Sequence, residues 1–149
     1  LENPKIINKI AKKVGSQSIA VCIDVKLNLS NKNFEAYLYN GSTKINKNLE
    51  DILFEVQSEG AGEIILNSID RDGTMKGFNL NILEKHKHQI KIPCTIIGGA
   101  KSYSNIKDLF DNYKLVGAGC GSLFIYKGIH KAILINYPSL NDKQKIIDQ

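Results

Sequence analysis

No apolar run in the chain approaches the roughly 18–20 residues that a membrane-spanning helix requires. A secretory leader is missing too: "LENPKIINKIAKKVG" spreads lysines along an amphipathic pattern where an apolar h-region would stand. Leu1-Glu2 lacks an initiator methionine and reads as a processing boundary, so further protein is expected before it. Arginine is nearly absent: Arg71 is the only one, and the net charge of +5 comes from lysine. Those lysines do not cluster or interleave with aromatics, so they read as solvated helix faces and not as a nucleic-acid surface. An anionic small molecule would suit the same mild excess of positive charge. Cysteine is sparse and odd in number. Cys22, Cys94 and Cys120 lie far apart in or beside apolar runs, the pattern of reduced core thiols in a cytoplasmic protein. No zinc or calcium ligand spacing occurs, and no metal or other cofactor is expected. His86 and His88, at the polar end of a helical segment, and His130 read as solvated.

What remains is an ordinary globular composition, 42% hydrophobic and 23% charged over 149 residues, enough for one domain spanning 1–149. Apolar runs and breakers alternate along it. "SIAVCID" (18–24), "EIILNS" (63–68), "IPCTIIGG" (92–99) and "LVGAGCGS" (115–122) read as strands. "NLEDILFEVQSEGAG" (48–62) reads as a helix closed by glycines. Further helices are expected at 79–90, at 104–113 with Ser104 as N-cap, and at 126–137 as the closing element. "FEAYLYNG" (34–41) alternates and ends at Asn-Gly, which predicts a hairpin excursion.

Strand followed by helix, four times, is the signature of a parallel sheet covered by helices. An open doubly wound sheet and part of a (β/α)₈ barrel both fit. Every strand, however, ends in chemistry: Asp24; Asp70 and Asp72; Gly98-Gly99; Gly121-Ser122. A barrel gathers all strand C-termini at one mouth, whereas an open sheet needs a single switch point. The expected fold is therefore a (β/α)₄ half of a TIM barrel with parallel strands. Its unpaired edges and open apolar face call for cover, by an N-terminal half-barrel absent here or by self-association.

"IIGGAKS" and "GAGCGSLF" each end a strand in glycines before a helical segment. Glycine lets backbone N–H groups approach an anion, so Gly98, Gly99, Gly121 and Ser122 are candidate phosphate ligands; close strand–helix packing is the alternative. Asp24, at the lip of an apolar strand, is a candidate general acid or base, or a turn cap. In "NSIDRDGTMKG" (67–77), Asp70 and Asp72 flank Arg71 across a turn. Both carboxylates could face the mouth, or Arg71 could pair with one and hold the loop; Asp72-Gly73 is also ordinary turn chemistry.

"GSQSIAVCID", "EGAGEIILNSIDRDGTMKGFNL", "IPCTIIGGA" and "GSLF", in this order, resemble the C-terminal half of the cyclase subunit of imidazole glycerol phosphate synthase. The resemblance implies a (β/α)₈ barrel built of two halves, fed with ammonia by a glutaminase partner at the opposite end. It implies a general acid/base role for Asp24 and makes Asp72 an active-site aspartate. Gly73, Gly98, Gly99, Gly121 and Ser122 would form a phosphate cradle, and Glu63 would stand at the ammonia entrance. An isolated half should bind phosphate at most. Two departures stand out. Ile97 occupies the place of a serine usual before the Gly-Gly, and the tail "GSLFIYKGIHKAILINYPS" leaves the histidine-pathway pattern. The tail resembles a paralogous branch linked to surface-polysaccharide synthesis, where ammonia amidates a nucleotide-linked sugar. Alternatives are the histidine-pathway cyclase itself and a non-catalytic phosphate-binding half-barrel.

Overall fold

A computed structural model describes residues 2–114 and 116–147. The chain runs α1 (Lys5–Val14), a short 3₁₀ turn (Ser16–Ser18), β1 (Ala20–Asn28), β2 (Asn33–Leu38), β3 (Thr43–Lys44) and α2 (Leu49–Ser58). It continues with β4 (Glu63–Ser68), α3 (Asn81–His86), β5 (Cys94–Ile97), α4 (Tyr103–Asn112), β6 (Val116–Gly119) and α5 (Ser122–Ile125). A small hairpin, β7 (Tyr126–Lys127) and β8 (Ala132–Ile133), precedes α6 (Leu140–Ile147). Strands β1, β4, β5 and β6 pair in parallel and in chain order, the (β/α)₄ half-barrel arrangement. The fourth strand was expected to begin at position 115, which lies outside the described residues.

Alternation decides which face is covered. Ile23 and Val25 of β1, Ile64 and Leu66 of β4, and Cys94 and Ile96 of β5 are buried under the helices. Leu49, Ile52, Leu53 and Val56 follow the helical spacing of α2 and meet them. The opposite face carries Cys22, Asp24, Lys26, Glu63, Ile65, Asn67, Thr95 and Ile97, none of which is buried. The open face is thus mixed in polarity and not the apolar surface expected. The three cysteines are free thiols, but Cys22 stands exposed on this face and not in the core.

The hairpin β2–β3 is antiparallel and joins the sheet beside β1, pairing from Asp24↔Tyr37 to Asn28↔Asn33. It covers only the upper part of that edge; Ala20–Ile23 has no partner on its outer side among the described residues. Tyr39, Asn40 and Gly41 take positive φ at the tip, as the Asn-Gly signal implies.

Three expectations about the helices are corrected. The helix α4 is capped by Ser102, whose extended backbone lets its Oγ accept the Asn105 N–H; Ser104 lies inside the helix. The helix α3 ends at His86, and the polar stretch after it continues only as turns. Residues 126–137 do not form the closing helix. Gly128 and Lys131 have positive φ and bend the segment into the β7–β8 hairpin. The closing helix is α6, started by reciprocal bonds between Ser139 and Asp142.

His86 is 1% exposed, not solvated as expected, whereas His88 and His130 are exposed. Its Nδ1 lies 3.3 Å from Glu50 Oε1, and neither ring nitrogen makes a hydrogen bond. Burial pushes its pKa below the ordinary 6.5, against the pull of Glu50 and with the help of Lys85. The unfolded chain therefore takes up this proton first as pH falls. The His86 contribution should be complete above pH 6.5 and be lost progressively below it. Urea unfolding between about pH 7.5 and about pH 5 should show this fall, and His86→Leu should flatten it.

Candidate active site

The loop that follows β4 distributes its charges to different tasks. Arg71 and Asp72 both donate their N–H groups to the Ser68 carbonyl, closing a tight turn. Asp70 turns away from the mouth: its Oδ2 accepts the Leu27 N–H at 3.0 Å and ties the loop to β1. Arg71 pairs with neither aspartate; its Nη1 reaches the carbonyls of Lys76 and Gly77, both at 3.4 Å. Thr74 Oγ1 donates to the Arg71 carbonyl at 2.7 Å. Asp72 is left exposed and lines a small polar concavity.

That shallow concavity, about 20 Å³ in volume, is walled by Asp72, Gly73, Gly98, Gly99, Gly121 and Ser122, with Met75 at its side. Three separate loops meet there. Gly98 and Gly99 have φ of 90° and 94°, a region that favours glycine. A Cβ on Gly98 would lie 2.6 Å from the Ser68 carbonyl oxygen, and one on Gly99 2.5 Å from that of Gly77. These two glycines are required for the loops to approach. Gly73 and Gly121 differ, because nothing stands within 4 Å of a Cβ at either. They face open space. The helix that Ser122 opens is only four residues long, so the concavity is shaped by loop backbone more than by a helix terminus.

Asp24 lies on the open face one row below the mouth. Register places Asp24 beside Asn67, Asn67 beside Ile97, and Ile97 beside Gly119. Asn67 Nδ2 donates to Asp24 Oδ1 at 2.8 Å, while Asn67 Oδ1 is buried without a partner. Two residues down β1, partial desolvation of the exposed Cys22 side chain against the sheet and the Asp24 carboxylate push the thiol pKa up, which keeps it protonated. Glu63 occupies the other end of the same face, four residues below Asn67 and hence roughly 13 Å away. Its Oε1 accepts the Thr95 hydroxyl at 2.5 Å.

A family model described as "Histidine biosynthesis protein" (His_biosynth) matches residues 1–131. The chain belongs to this His_biosynth family. A Leptospira borgpetersenii relative, provisionally named imidazole glycerol phosphate synthase subunit HisF, is 49% identical over 146 residues, 98% of this chain and 58% of its own length. A Vibrio vulnificus protein, provisionally named a subunit of the same synthase, is 47% identical over 147 residues, 99% of this chain and 56% of its own length. The imidazole glycerol phosphate synthase subunit HisF of Lactococcus lactis subsp. cremoris is 37% identical over 126 residues, 85% of this chain and 49% of its own length. The chain thus spans about half the length of these relatives. Among the described residues no helix is long and apolar enough to cross a membrane.

In this His_biosynth half-barrel, sequence reading missed Asn67. The signal was available, since "EIILNS" alternates and Asn67 falls on the face of Glu63. The spatial roles of the glycines give a direct test. Gly99→Ala should destabilise the chain by about 1–3 kcal/mol, through positive φ and the clash with the Gly77 carbonyl. Gly121→Ala, in open space, should stay within about 0.5 kcal/mol of the parent. Denaturant midpoints at equal slope measure both.

Proposed function

We propose that the chain is the C-terminal half of an ammonia-using (β/α)₈ synthase that works with a glutaminase subunit and a phosphorylated substrate. The convergence of Asp72, Gly73, Gly98, Gly99, Gly121 and Ser122 on one concavity carries this reading. Backbone N–H groups of glycine loops suit a phosphate, and the two glycines with open space leave room for it. Asp24, held by Asn67 just below, serves as a general acid or base on the substrate, and Asp72 acts at the rim. Glu63 marks the opposite end of the face, where ammonia would enter and travel toward Asp24. No metal or organic cofactor takes part in this scheme.

The substrate is a nucleotide-linked sugar whose acetamido group is amidated, in surface-polysaccharide synthesis in the cytoplasm. Support comes from the tail. The family model ends at residue 131, yet relatives at 47–49% identity continue across 146 or 147 residues, while the Lactococcus subunit aligns over 126. Ile97, in place of a serine before Gly98-Gly99, is a second departure from the cyclase pattern. The histidine-pathway cyclase is the competing enzyme, and a non-catalytic phosphate-binding half-barrel is the competing class.

Three measurements decide among these. Inorganic phosphate should bind the chain, and Gly121→Val should weaken it by at least about tenfold without unfolding it, as read by titration calorimetry. Absence of binding removes the phosphate reading. In the longer protein, Asp24→Asn should lower turnover by about 10²–10⁴-fold if Asp24 transfers a proton. An intact rate would leave only the binding role. Growth of a strain lacking the histidine-pathway cyclase, restored by the longer gene, would reject sugar amidation.

A further inference from the structure

We infer that Asn105 is the positioning residue of the glycine cradle, holding the loops after β4 and β5 at a fixed separation; the inference rests on the phosphate reading of that concavity. The loop after β4 supplies Asp72 and Gly73, and the loop after β5 supplies Gly98 and Gly99. Backbone contact between them is narrow: the Gly77 N–H donates to the Gly99 carbonyl at 2.7 Å. Beside that bond one side-chain oxygen spans both loops. Asn105 Oδ1 accepts the Phe78 N–H at 3.2 Å and the Lys101 N–H at 3.4 Å. An amide oxygen has two acceptor sites, and both are taken, one by each loop.

Asn105 is itself fixed. It sits in the first turn of α4, and its N–H donates to the cap Ser102 Oγ at 3.2 Å, which in turn lies 2.8 Å from Ser104 Oγ. The clamp is therefore anchored on a regular helix whose Ile106 and Leu109 are buried in the core. Phe78 is 6% exposed, and its bond to Asn105 is partly buried, whereas the Lys101 bond is open to solvent. At the Phe78 N–H water cannot readily replace the oxygen, so its loss strands that donor and lets the loops part. From the other side Arg71 touches the carbonyls of Lys76 and Gly77, but at 3.4 Å and on one loop only. Among the described residues, Asn105 alone hydrogen-bonds to both loops through a side chain.

The test uses the 149-residue chain with inorganic phosphate as probe and amide hydrogen exchange at Phe78 and Lys101 as a second readout. Asn105→Leu, similar in size but without the oxygen, should accelerate exchange at both amides and weaken phosphate binding by about tenfold. Asn105→Asp, which keeps an acceptor in place, should restore slow exchange and bring the Kd back to within about threefold of the parent. Ile106→Val, on the next position of the same helix, should lower the unfolding midpoint while leaving the Kd unchanged. Phosphate binding that survives Asn105→Leu, or an aspartate variant no better than leucine, overturns the positioning role alone. No phosphate binding by the parent chain overturns the anion reading together with this inference. The exchange data then show whether the clamp exists apart from any ligand.

Discussion

Asp24, Asn67, Ile97 and Gly119 stand in one row because four parallel strands pair without a slip, and every arrangement at the mouth depends on that register. A shift of one residue in β4 would turn Asn67 and Glu63 toward the helices and bring Leu66 onto the open face. The Asn67–Asp24 bond would be lost, and the loop carrying Asp72 would start from the wrong side. Register is secured by burial of Ile64 and Leu66 against α2 and its neighbours, so the apolar side of the sheet dictates where the polar side does its work. Above the last row the strands give way to loops, and glycine takes over from side-chain packing as the means of close approach.

The four strands, α2 and the glycine-rich ends were legible because each carries its signal locally: short apolar runs, 3.6-residue spacing, glycines directly after a strand. Tail residues from Tyr126 onward were misread because "YKGIHKAILINY" contains helix-compatible apolar spacing, while the positive φ of Gly128 and Lys131 is a backbone choice that composition does not announce. The helix that closes the chain did carry a signal, the Ser139–Asp142 pair, in the spacing of a capping box. His86 was misjudged from its lysine and histidine neighbours, since a six-residue helix still has an inner side.

The candidate site was legible as a set of residues and not as a geometry. Asp70 and Asp72 are equivalent in the sequence, two acids flanking one arginine. Only the turn made by two N–H bonds to the Ser68 carbonyl sends one carboxylate to a backbone amide of β1 and leaves the other at the concavity. Which acid goes where follows from long-range pairing of β1 with β4, information that no window of a dozen residues contains. The glycines could be nominated without the fold because their requirement is conformational and largely local.

The β2–β3 excursion also changes what the sheet can join. Open-ended stacking of such sheets, margin to margin, needs two complementary free borders on each molecule. Here the whole of β6 has a free border among the described residues, but on β1 the antiparallel ribbon occupies Asp24–Asn28 and leaves a ledge of four residues. A mate that pairs with that ledge must stop short of the ribbon, which favours a closed, matched union over an indefinite fibre.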